Sequence, residues 1–423
     1  MIIWVIIGFI VFLLMGIPIA FVLGLAPLIA IISKGIPVAV IAQKMFTSTD
    51  SFVLMAIPLF ILAGNLMAEG GVTRRLIDFS KVVVGYISGG LALVTVLTSM
   101  GVAAITGAAV ATAAAVGSIM IPAMVKNGYK KDFASAVVAA SSIMGPIIPP
   151  SIPFILYGVL ANVSIASLFL AGIIPGVLLG ISMAVIIIIY ARKHNLPREK
   201  FPSFMEFLKA FIKAIPPLGM PLLVLGGILS GVFTPTEAAV IATVYAFTLG
   251  LIYGELKLNK LPEILSDSAT TSSLVMLIIA TSSIFGWLLA SERIPQQVAN
   301  SFLSITNNPY LILLMINGLL LFVGTFMETT ASIVILTPIL LPLVTSLGIS
   351  PLHFGVVMAV NLVIGLTTPP LGVALYICCA MGKVTLEEIT KRVWPFILSS
   401  IVVLMLITYI PWLVTFIPTV LGK

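Results

Sequence analysis

The chain has 423 residues, of which only 8% are charged while 60% are hydrophobic, and its mean hydropathy is +1.26. Soluble domains carry about 25% charged residues, so this composition excludes a soluble enzyme and a disordered chain. It predicts an integral membrane protein of roughly ten to twelve segments, at about 20 apolar residues for each spanning helix. The apolar runs are continuous rather than alternating, which argues against an outer-membrane barrel.

Taken in chain order, the apolar runs predict ten ordinary spans. These are residues 2–15, 18–33, 52–68, 132–160, 167–190, 214–232, 236–254, 268–290, 352–380 and 393–420. Two longer runs, 88–126 and 310–346, could each form two helices, but small or polar residues interrupt both at the middle. Each predicts a re-entrant hairpin that enters the membrane and turns back.

The opening apolar run and the most polar stretch of the chain also carry predictions. The opening run lacks a basic leader and a cleavage site, so it is interpreted as a mature span rather than a signal peptide. Residues 191–213 hold six Lys or Arg with phenylalanines between them, which is typical of an amphipathic helix on the cytoplasmic lipid surface. Phospholipid is therefore an expected partner, and this linker separates a first repeat, 1–190, from a second, 214–423.

An internal repeat is visible at a fixed offset of 220 residues. Five Gly or Pro identities share that register, and each of these residue types fixes a backbone feature. The pairs are Pro122 with Pro342, Gly128 with Gly348, Gly145 with Gly365, Pro149 with Pro369, and Pro150 with Pro370.

Charge predicts that the two repeats face opposite sides of the membrane. Lys126, Lys130 and Lys131 follow the first hairpin, whereas residues 346–352 after the second carry no charge. With the linker in the cytoplasm, seventeen of the 21 basic residues fall inside, a strong positive-inside bias. The four predicted outside are Lys34, Lys44, Arg293 and Lys423, and both chain ends are predicted to be outside.

Two of the predicted spans cannot be continuous helices. Residues 145–153 and 365–372 each contain a Pro-Pro pair, which removes backbone donors and clashes with the preceding turn. Freed carbonyls in a membrane need partners, and half-helix N-termini attract anions. Inverted repeats with such breaks are typical of secondary transporters, whose sites lie at the breaks. A channel for ions or small anions is the alternative.

The coupling ion is inferred from what the membrane zone contains. Its only acids are Glu237 and Glu328, and Glu237 follows a Pro at a helix start, where it is interpreted as a helix cap. Hydroxyls and unwound carbonyls suit sodium better than protons, which require titratable relays. A proton-coupled carrier that works alone stays open, as does the alternative that each hydroxyl only bonds its own backbone.

The candidate site residues follow from the tips and breaks. For sodium they are Thr106, Gly107, Ser141, Gly145, Pro149, Thr325, Met327, Glu328, Gly365 and Thr368. For substrate they are Thr106, Ser151, Thr330 and Arg293, the last as a recogniser of carboxylate from outside.

Enzymatic function has little support in the sequence. His194 and His353 lack a partner at metal-binding spacing, and no phosphate loop is present, which excludes an ATP-driven pump on this chain alone. The adjacent Cys378 and Cys379 are interpreted as buried small hydrophobic residues. Basic residues are scattered without interleaved aromatics through most of the chain, so no nucleic acid is expected.

Five segments carry a specific resemblance to a known family. They are Gly145–Ser151 (GPIIPPS), Gly365–Gly372 (GLTTPPLG), Phe233–Ala239 (FTPTEAA), Phe326–Thr330 (FMETT) and the tip Thr106-Gly107. With them, the chain resembles the large membrane subunit of TRAP transporters, the tripartite ATP-independent periplasmic family, over nearly its whole length.

This resemblance implies an all-α elevator-type carrier of the ion transporter superfamily in a bacterial inner membrane. It implies sodium-driven import of organic acids such as sialic acid or C4-dicarboxylates. The implied partners are a periplasmic substrate-binding protein and a small four-helix membrane subunit, expected here as a separate chain. Two departures stand out: the first tip reads Thr106-Gly107-Ala108-Ala109 where the family often has Ser-Gly-Ser-Ser, and Glu328 replaces a frequent Asp.

Overall fold

The structure, a computed structural model, describes residues 2–422, so Met1 and the predicted outer cation Lys423 lie outside the description. Within that range the regular structure is helical, which confirms the predicted all-α class. The first half contains α1 (Ile2–Leu14), α2 (Ile19–Ser33), α3 (Ala39–Thr49), α4 (Ala56–Glu69), α5 (Val72–Val84), α6 (Gly90–Thr106), α7 (Ala109–Lys126), α8 (Lys131–Ser142), α9 (Ile152–Ala161) and α10 (Ile165–His194). The second half contains α11 (Phe204–Leu229), α12 (Pro235–Ile252), α13 (Leu261–Ser291), α14 (Ile294–Ile305), α15 (Pro309–Phe326), α16 (Thr329–Ser346), α17 (Pro351–Gly365), α18 (Val373–Gly382), α19 (Leu386–Tyr409) and α20 (Trp412–Val420).

The chain is a polytopic membrane protein. Nine helices among the described residues are long and apolar enough to cross a membrane. Five shorter apolar helices, of 10–17 residues, accompany them, and four of these five belong to the hairpins and to the interrupted spans. These short helices are the ones that approach the candidate site.

Several helices begin at a capping box, in which the N-cap residue and the residue three positions later each accept a hydrogen bond, through the side chain, from the backbone N–H of the other. Thr234 N donates to Glu237 Oε2 at 2.8 Å, and Glu237 N donates to Thr234 Oγ1 at 3.3 Å. The interpretation of Glu237 as a helix cap is therefore confirmed. Ser203 with Glu206 and Thr385 with Glu388 form the same motif at the starts of α11 and α19.

The two halves repeat the same order of helices at the offset that the Gly and Pro pairs indicate. Helix α7 covers residues 109–126 and α16 covers 329–346, a displacement of 220 at both ends. Gly128 and Gly348 end equivalent turns with φ of +85° and +75°, which glycine adopts without steric cost. The Pro149–Pro150 and Pro369–Pro370 bonds are both cis.

Contacts between the repeats are reciprocal. Helix α9 of the first repeat packs on α16 of the second, and α18 of the second packs on α7 of the first. Since α18 corresponds to α9 and α7 to α16, this is the pattern of a two-fold, self-complementary contact. The hairpins and interrupted spans of both repeats therefore form one interlocked body.

Each span that carries a Pro-Pro pair is two short helices. Residues 143–151 separate α8 from α9, and residues 366–372 separate α17 from α18. The last predicted span, 393–420, is also divided, because Pro411 disfavours helical backbone at Ile410 and α19 ends before it.

The predicted linker 191–213 is helical at both ends. Helix α10 continues to His194, and its last turn holds Arg192, Lys193 and His194, where cations stabilise the helix dipole. Helix α11 begins at Phe204, so only residues 195–203 are non-helical. The exposed phenylalanines Phe201 and Phe204 lie at this connection.

Helices α4 and α12 form a close pair outside the interlocked body. Buried alanines of α12, including Ala238 and Ala242, let the two backbones approach. Thr243 Oγ1 donates across the interface to Leu59 O at 2.9 Å, and Thr236 Oγ1 donates to Phe52 O, just before α4, at 2.9 Å. Small residues and interhelical hydrogen bonds are the usual basis of helix association in membranes.

Replacing Ala242 with Leu is expected to destabilise the protein by about 1–3 kcal/mol, because a larger side chain overpacks a fully buried position. Val244→Leu is the matched control, since Val244 is exposed on the same helix. Thermal unfolding of both purified variants in detergent measures the difference. Equal midpoints would contradict the close packing described for α4 and α12.

Candidate functional site

A cavity of about 510 Å³ lies where both hairpin tips and both interrupted spans meet. We call it the central cavity. Its wall on the side of the interlocked body includes Thr106 to Ala111, Pro146, Ile152, Glu328 to Thr330, and Leu366. Its opposite wall is formed by residues of three other helices, α2, α4 and α13.

The first hairpin tip turns at Gly107, between α6 and α7. Gly107 has φ of +62°, and a Cβ there would lie 2.8 Å from Pro150 O, so both conformation and space require glycine. Thr106 Oγ1 and Thr112 Oγ1 lie 2.8 Å apart, and Thr112 Oγ1 donates to Ala108 O at 2.9 Å. The tip thus packs its backbone directly on the first interrupted span.

The first interrupted span meets the same tip at Gly145. A Cβ on Gly145 would lie 2.6 Å from Ala108 O. Ser151 caps α9 by accepting from Phe154 N at 3.3 Å, and it donates to Pro146 O. Ser141 Oγ lies 2.9 Å from Ser99 Oγ on α6, which ties the hairpin to α8. These hydroxyls already have protein partners in this structure.

The second tip is dominated by Glu328, the N-cap of α16. Its carboxylate accepts from Thr330 N at 2.8 Å and Ala331 N at 3.3 Å, and from Thr330 Oγ1 at 3.0 Å. The side chain is exposed to the cavity that it lines. Glu328 therefore combines a negative charge at the site with the N-terminal end of a helix dipole, which favours that charge.

One hydroxyl at the second tip lacks a partner. Thr329 Oγ1 is buried in the cavity wall and has no hydrogen-bond partner within residues 2–422. Buried polar atoms are nearly always bonded, so this hydroxyl is one of few exceptions among the described residues. Thr325 in contrast donates to Phe322 O at 2.7 Å in its own helix.

The second interrupted span mirrors the first. A Cβ on Gly365 would lie 2.7 Å from Gly324 O of the second hairpin, just as a Cβ on Gly145 would lie 2.6 Å from Ala108 O of the first hairpin. Thr367 and Thr368 both donate to Ile364 O, at 3.0 and 2.9 Å. Asn361 Nδ2 donates to Asn317 Oδ1 at 2.9 Å, a polar tie equivalent in place to Ser99 and Ser141.

Four sequence-predicted site residues lie in the cavity wall: Thr106, Gly107, Glu328 and Thr330. The others in the tips and interrupted spans lie outside the wall: Ser141, Gly145, Pro149, Ser151, Thr325, Met327, Gly365 and Thr368. Arg293 is exposed at the junction of α13 and α14, apart from the cavity. Within residues 2–422 no group of three His, Cys, Asp or Glu side chains could hold a metal ion, so a cation there would depend on hydroxyl and carbonyl oxygens together with the Glu328 carboxylate.

Sequence reasoning missed the opposite wall. Asn65 of α4 donates to Ser268 Oγ at 2.8 Å, and both Asn65 and Thr271 line the cavity. Gly64 beside them faces the first tip, since a Cβ there would lie 3.1 Å from Thr106 Cα. A polar Asn inside the apolar run 52–68 was the available signal, because such residues are costly in a membrane.

Broken helices that converge on a cavity in a helical membrane protein are the architecture of secondary transporters. The sequence model of the family described as "Tripartite ATP-independent periplasmic transporter, DctM component" matches residues 6–413. The chain belongs to this family, as its large permease component. The resemblance inferred from the sequence motifs is confirmed.

Two named relatives match nearly the whole chain. The isethionate TRAP transporter permease protein DctMQ of Oleidesulfovibrio alaskensis is 44% identical over 95% of this chain and 64% of that longer protein. The sialic acid TRAP transporter large permease protein SiaM of Vibrio cholerae is 40% identical over 95% of each chain. Relatives of this kind are named permeases, so the predicted non-enzymatic function is confirmed.

A solved structure shares the fold. The chain superposes on the Alcanivorax borkumensis YdaH transporter with a TM-score of 0.58, covering 88% of each chain at 14% identity. At that identity the likeness extends to the architecture alone. The predicted fold class, an all-α polytopic membrane protein, is confirmed.

Proposed function

We propose that the protein imports an organic acid of the sialic acid or C4-dicarboxylate type across the bacterial inner membrane, coupled to sodium, by an elevator movement. The observation that carries the proposal is the central cavity, which lies on the boundary between the interlocked body and helices α2, α4 and α13. A solute bound there is held by one body and shielded by the other.

The interlocked body supports an elevator rather than a rocking of the two repeats. Because α9 packs on α16 and α18 on α7, the repeats cannot separate without breaking these contacts. We therefore assign the sliding surface to the opposite boundary, where Gly64 lets the first tip pack close to the α4 backbone. The whole body would then carry its solutes past α4 and α13.

Sodium is proposed as the coupling ion, held at the tips and interrupted spans by the predicted ligands. Each tip packs its backbone closely on an interrupted span, with Ala108 O beside Gly145 and Gly324 O beside Gly365. Hard cations prefer carbonyl and hydroxyl oxygens, and among the described residues Glu328 is the charged residue of the cavity wall. Thr106 and Thr330 are the proposed substrate contacts in this conformation. Ser151 and Arg293 lie outside the cavity wall, so they would contact substrate only in a different conformation of the protein.

Substrate and partners are proposed from the relatives and the charge pattern. Isethionate and sialic acid, named for two relatives, are both organic anions. The family is tripartite, so we propose a periplasmic binding protein that delivers the acid and a small four-helix membrane subunit on a separate chain. We also propose that the basic linker lies at cytoplasmic phospholipid and that both chain ends lie in the periplasm.

Uptake into proteoliposomes that contain the permease and both partners is expected to fall at least tenfold when potassium replaces sodium outside. Loss of the inward sodium gradient removes the driving force for concentrative uptake. Radiolabelled sialic acid and succinate would be measured in parallel. Undiminished uptake in potassium would refute sodium coupling, and uptake that follows only the gradient of the acid would favour a channel.

A further inference from the structure

Two apolar helix faces line the central cavity from its opposite walls. In each set the three residues lie at positions i, i+1 and i+4, so they form one stripe on their helix. The sets are Val110, Ala111 and Ala114 of α7, in the interlocked body, and Leu274, Val275 and Ile278 of α13, in the opposite wall. We call the space between the two faces the α7–α13 slot.

The slot presents apolar surface that the protein itself leaves partly uncovered. Val110 is 44% exposed and Leu274 is 55% exposed, although both lie in the wall of the central cavity. On the α7 side, the small side chains of Ala111 and Ala114 leave room between the helices. Ligand pockets are typically lined by apolar side chains with a few polar groups at fixed places. Burial of the exposed apolar surface against apolar atoms of a solute would favour binding.

The polar side chains of the cavity wall have little hydrogen-bonding capacity to spare. Thr330 Oγ1 donates to Glu328 Oε1 at 3.0 Å. Asn65 Nδ2 donates to Ser268 Oγ at 2.8 Å. Thr329 Oγ1, in contrast, has no hydrogen-bond partner within residues 2–422. A polyhydroxylated solute would therefore leave several of its hydroxyls unbonded, and each unbonded buried hydroxyl weakens binding.

Charge is also sparse in the cavity wall. Among the described residues that form it, Glu328 is acidic and none is Lys, Arg or His. A carboxylate of the solute therefore has no cationic side chain to pair with, and each further buried charge adds a desolvation cost. A second carboxylate placed in the slot would lie against Leu274 and Ile278 without a counterion. The wall thus favours a solute with a single negative charge and none along the slot.

We propose that the α7–α13 slot receives the hydrocarbon body of the transported acid, and that the preferred substrate is a monocarboxylate with a branched alkyl or aryl body. Its carboxylate then lies at the hairpin tips, near Thr329 and the proposed sodium, and its body lies between α7 and α13. This inference rests on the proposed import of an organic acid and narrows the acid within that class. Polyhydroxylated acids such as sialic acid, and doubly charged acids such as succinate, are the weaker ligands of this chain.

Thermal unfolding of the purified permease in lipid nanodiscs with sodium tests this preference, because a ligand that binds only the folded protein raises the unfolding midpoint according to its affinity. The probes are isocaproate, succinate and sialic acid. Isocaproate and succinate have nearly the same shape, since an isopropyl group in one stands where a carboxylate stands in the other. The apparent Kd of isocaproate is expected to be at least about tenfold lower than that of either other acid.

Two substitutions determine whether the slot causes the preference. Leu274→Asn makes one wall polar and is expected to bring the affinities for isocaproate and succinate within about twofold of each other. Ala114→Leu fills the slot from the α7 side and is expected to weaken isocaproate binding at least about fivefold. The matched control is Leu265→Asn, because Leu265 is a 47% exposed leucine of α13 outside the cavity wall, and this variant should keep the preference of the parent. Unfolding midpoints without ligand show that each variant is folded.

Tighter binding of succinate or sialic acid than of isocaproate would overturn the proposed class, and so would the absence of any shift with isocaproate. A preference that Leu274→Asn and Ala114→Leu both leave unchanged would overturn the assignment to the slot. These measurements involve no transport. Sodium-dependent uptake of succinate would therefore stand if the preference failed, and the preference for isocaproate would stand if potassium supported uptake equally well.

Discussion

Replacing Glu328 with Gln is expected to reduce sodium-driven uptake at least tenfold while the protein stays folded. The carboxylate of Glu328 lines the central cavity and also caps α16 through the N–H groups of Thr330 and Ala331. Gln keeps an oxygen that can accept these hydrogen bonds but removes the charge. The variant therefore separates the proposed role in transport from the role in the fold. Uptake into proteoliposomes and thermal unfolding would be measured on the same preparation.

Companion variants distinguish the two roles of Glu328. Glu328→Asp keeps charge and is a good N-cap, so it should retain most uptake. Glu328→Ala loses the cap as well, which is expected to cost about 1 kcal/mol of stability in addition to transport. The matched control is Glu237→Gln, since Glu237 is also a capping acid but lies outside the cavity wall. Normal uptake by Glu328→Gln would show that its charge is dispensable.

Gly365→Ala is expected to abolish uptake and to destabilise the protein by about 1–3 kcal/mol. The new Cβ would lie 2.7 Å from Gly324 O, a backbone atom that cannot turn aside as the end of a side chain could. Gly145→Ala should behave alike, because its Cβ would lie 2.6 Å from Ala108 O. Both substitutions push a hairpin tip away from its interrupted span.

Gly318→Ala serves as the control for these glycines. Gly318 lies in α15 of the same hairpin, and a Cβ there would meet no heavy atom within 4 Å. Normal uptake and an unchanged unfolding midpoint are expected for this variant. If Gly318→Ala were as damaging as Gly365→Ala, helix flexibility rather than close packing would be the reason these glycines are needed.

Much of the architecture could be predicted because the informative residues act on the backbone. Pro149-Pro150 and Pro369-Pro370 interrupt their helices in any surroundings, since proline lacks the N–H that a helix needs. Gly128 and Gly348 mark equivalent turns for the same kind of reason. Local rules of this type do not depend on what packs nearby, so the repeat was visible without coordinates.

The composition of the cavity wall could not be predicted in the same way. Ser151 lies in an interrupted span and Thr106 at a hairpin tip, yet the Ser151 hydroxyl caps α9 whereas Thr106 lies in the cavity wall. Outside a regular helix, spacing along the chain does not set the direction of a side chain. Asn65 and Thr271 come from helices distant in sequence, so their presence in the wall depends on tertiary packing.

Helix α5 illustrates a different difficulty. Its residues Val72–Val84 include Arg74, Arg75, Asp78 and Lys81, so no continuous apolar run marks it. Buried Leu76 and Ile77 nevertheless place it against the rest of the protein, with Arg75 bound to Glu255 at 2.8 Å. An amphipathic helix at a membrane surface is detected by its periodicity rather than by its mean hydropathy.

The reciprocal packing of the repeats has a consequence for biosynthesis. Helix α9 ends at residue 161, but α16, on which it packs, begins only at residue 329. At about 5–20 residues per second, the ribosome needs roughly 10–30 s to bridge that interval. During this time the first repeat resides in the membrane with α9 uncovered by its partner. Formation of the contact between the repeats, and not only insertion of the helices, is then a late step in folding of the transporter.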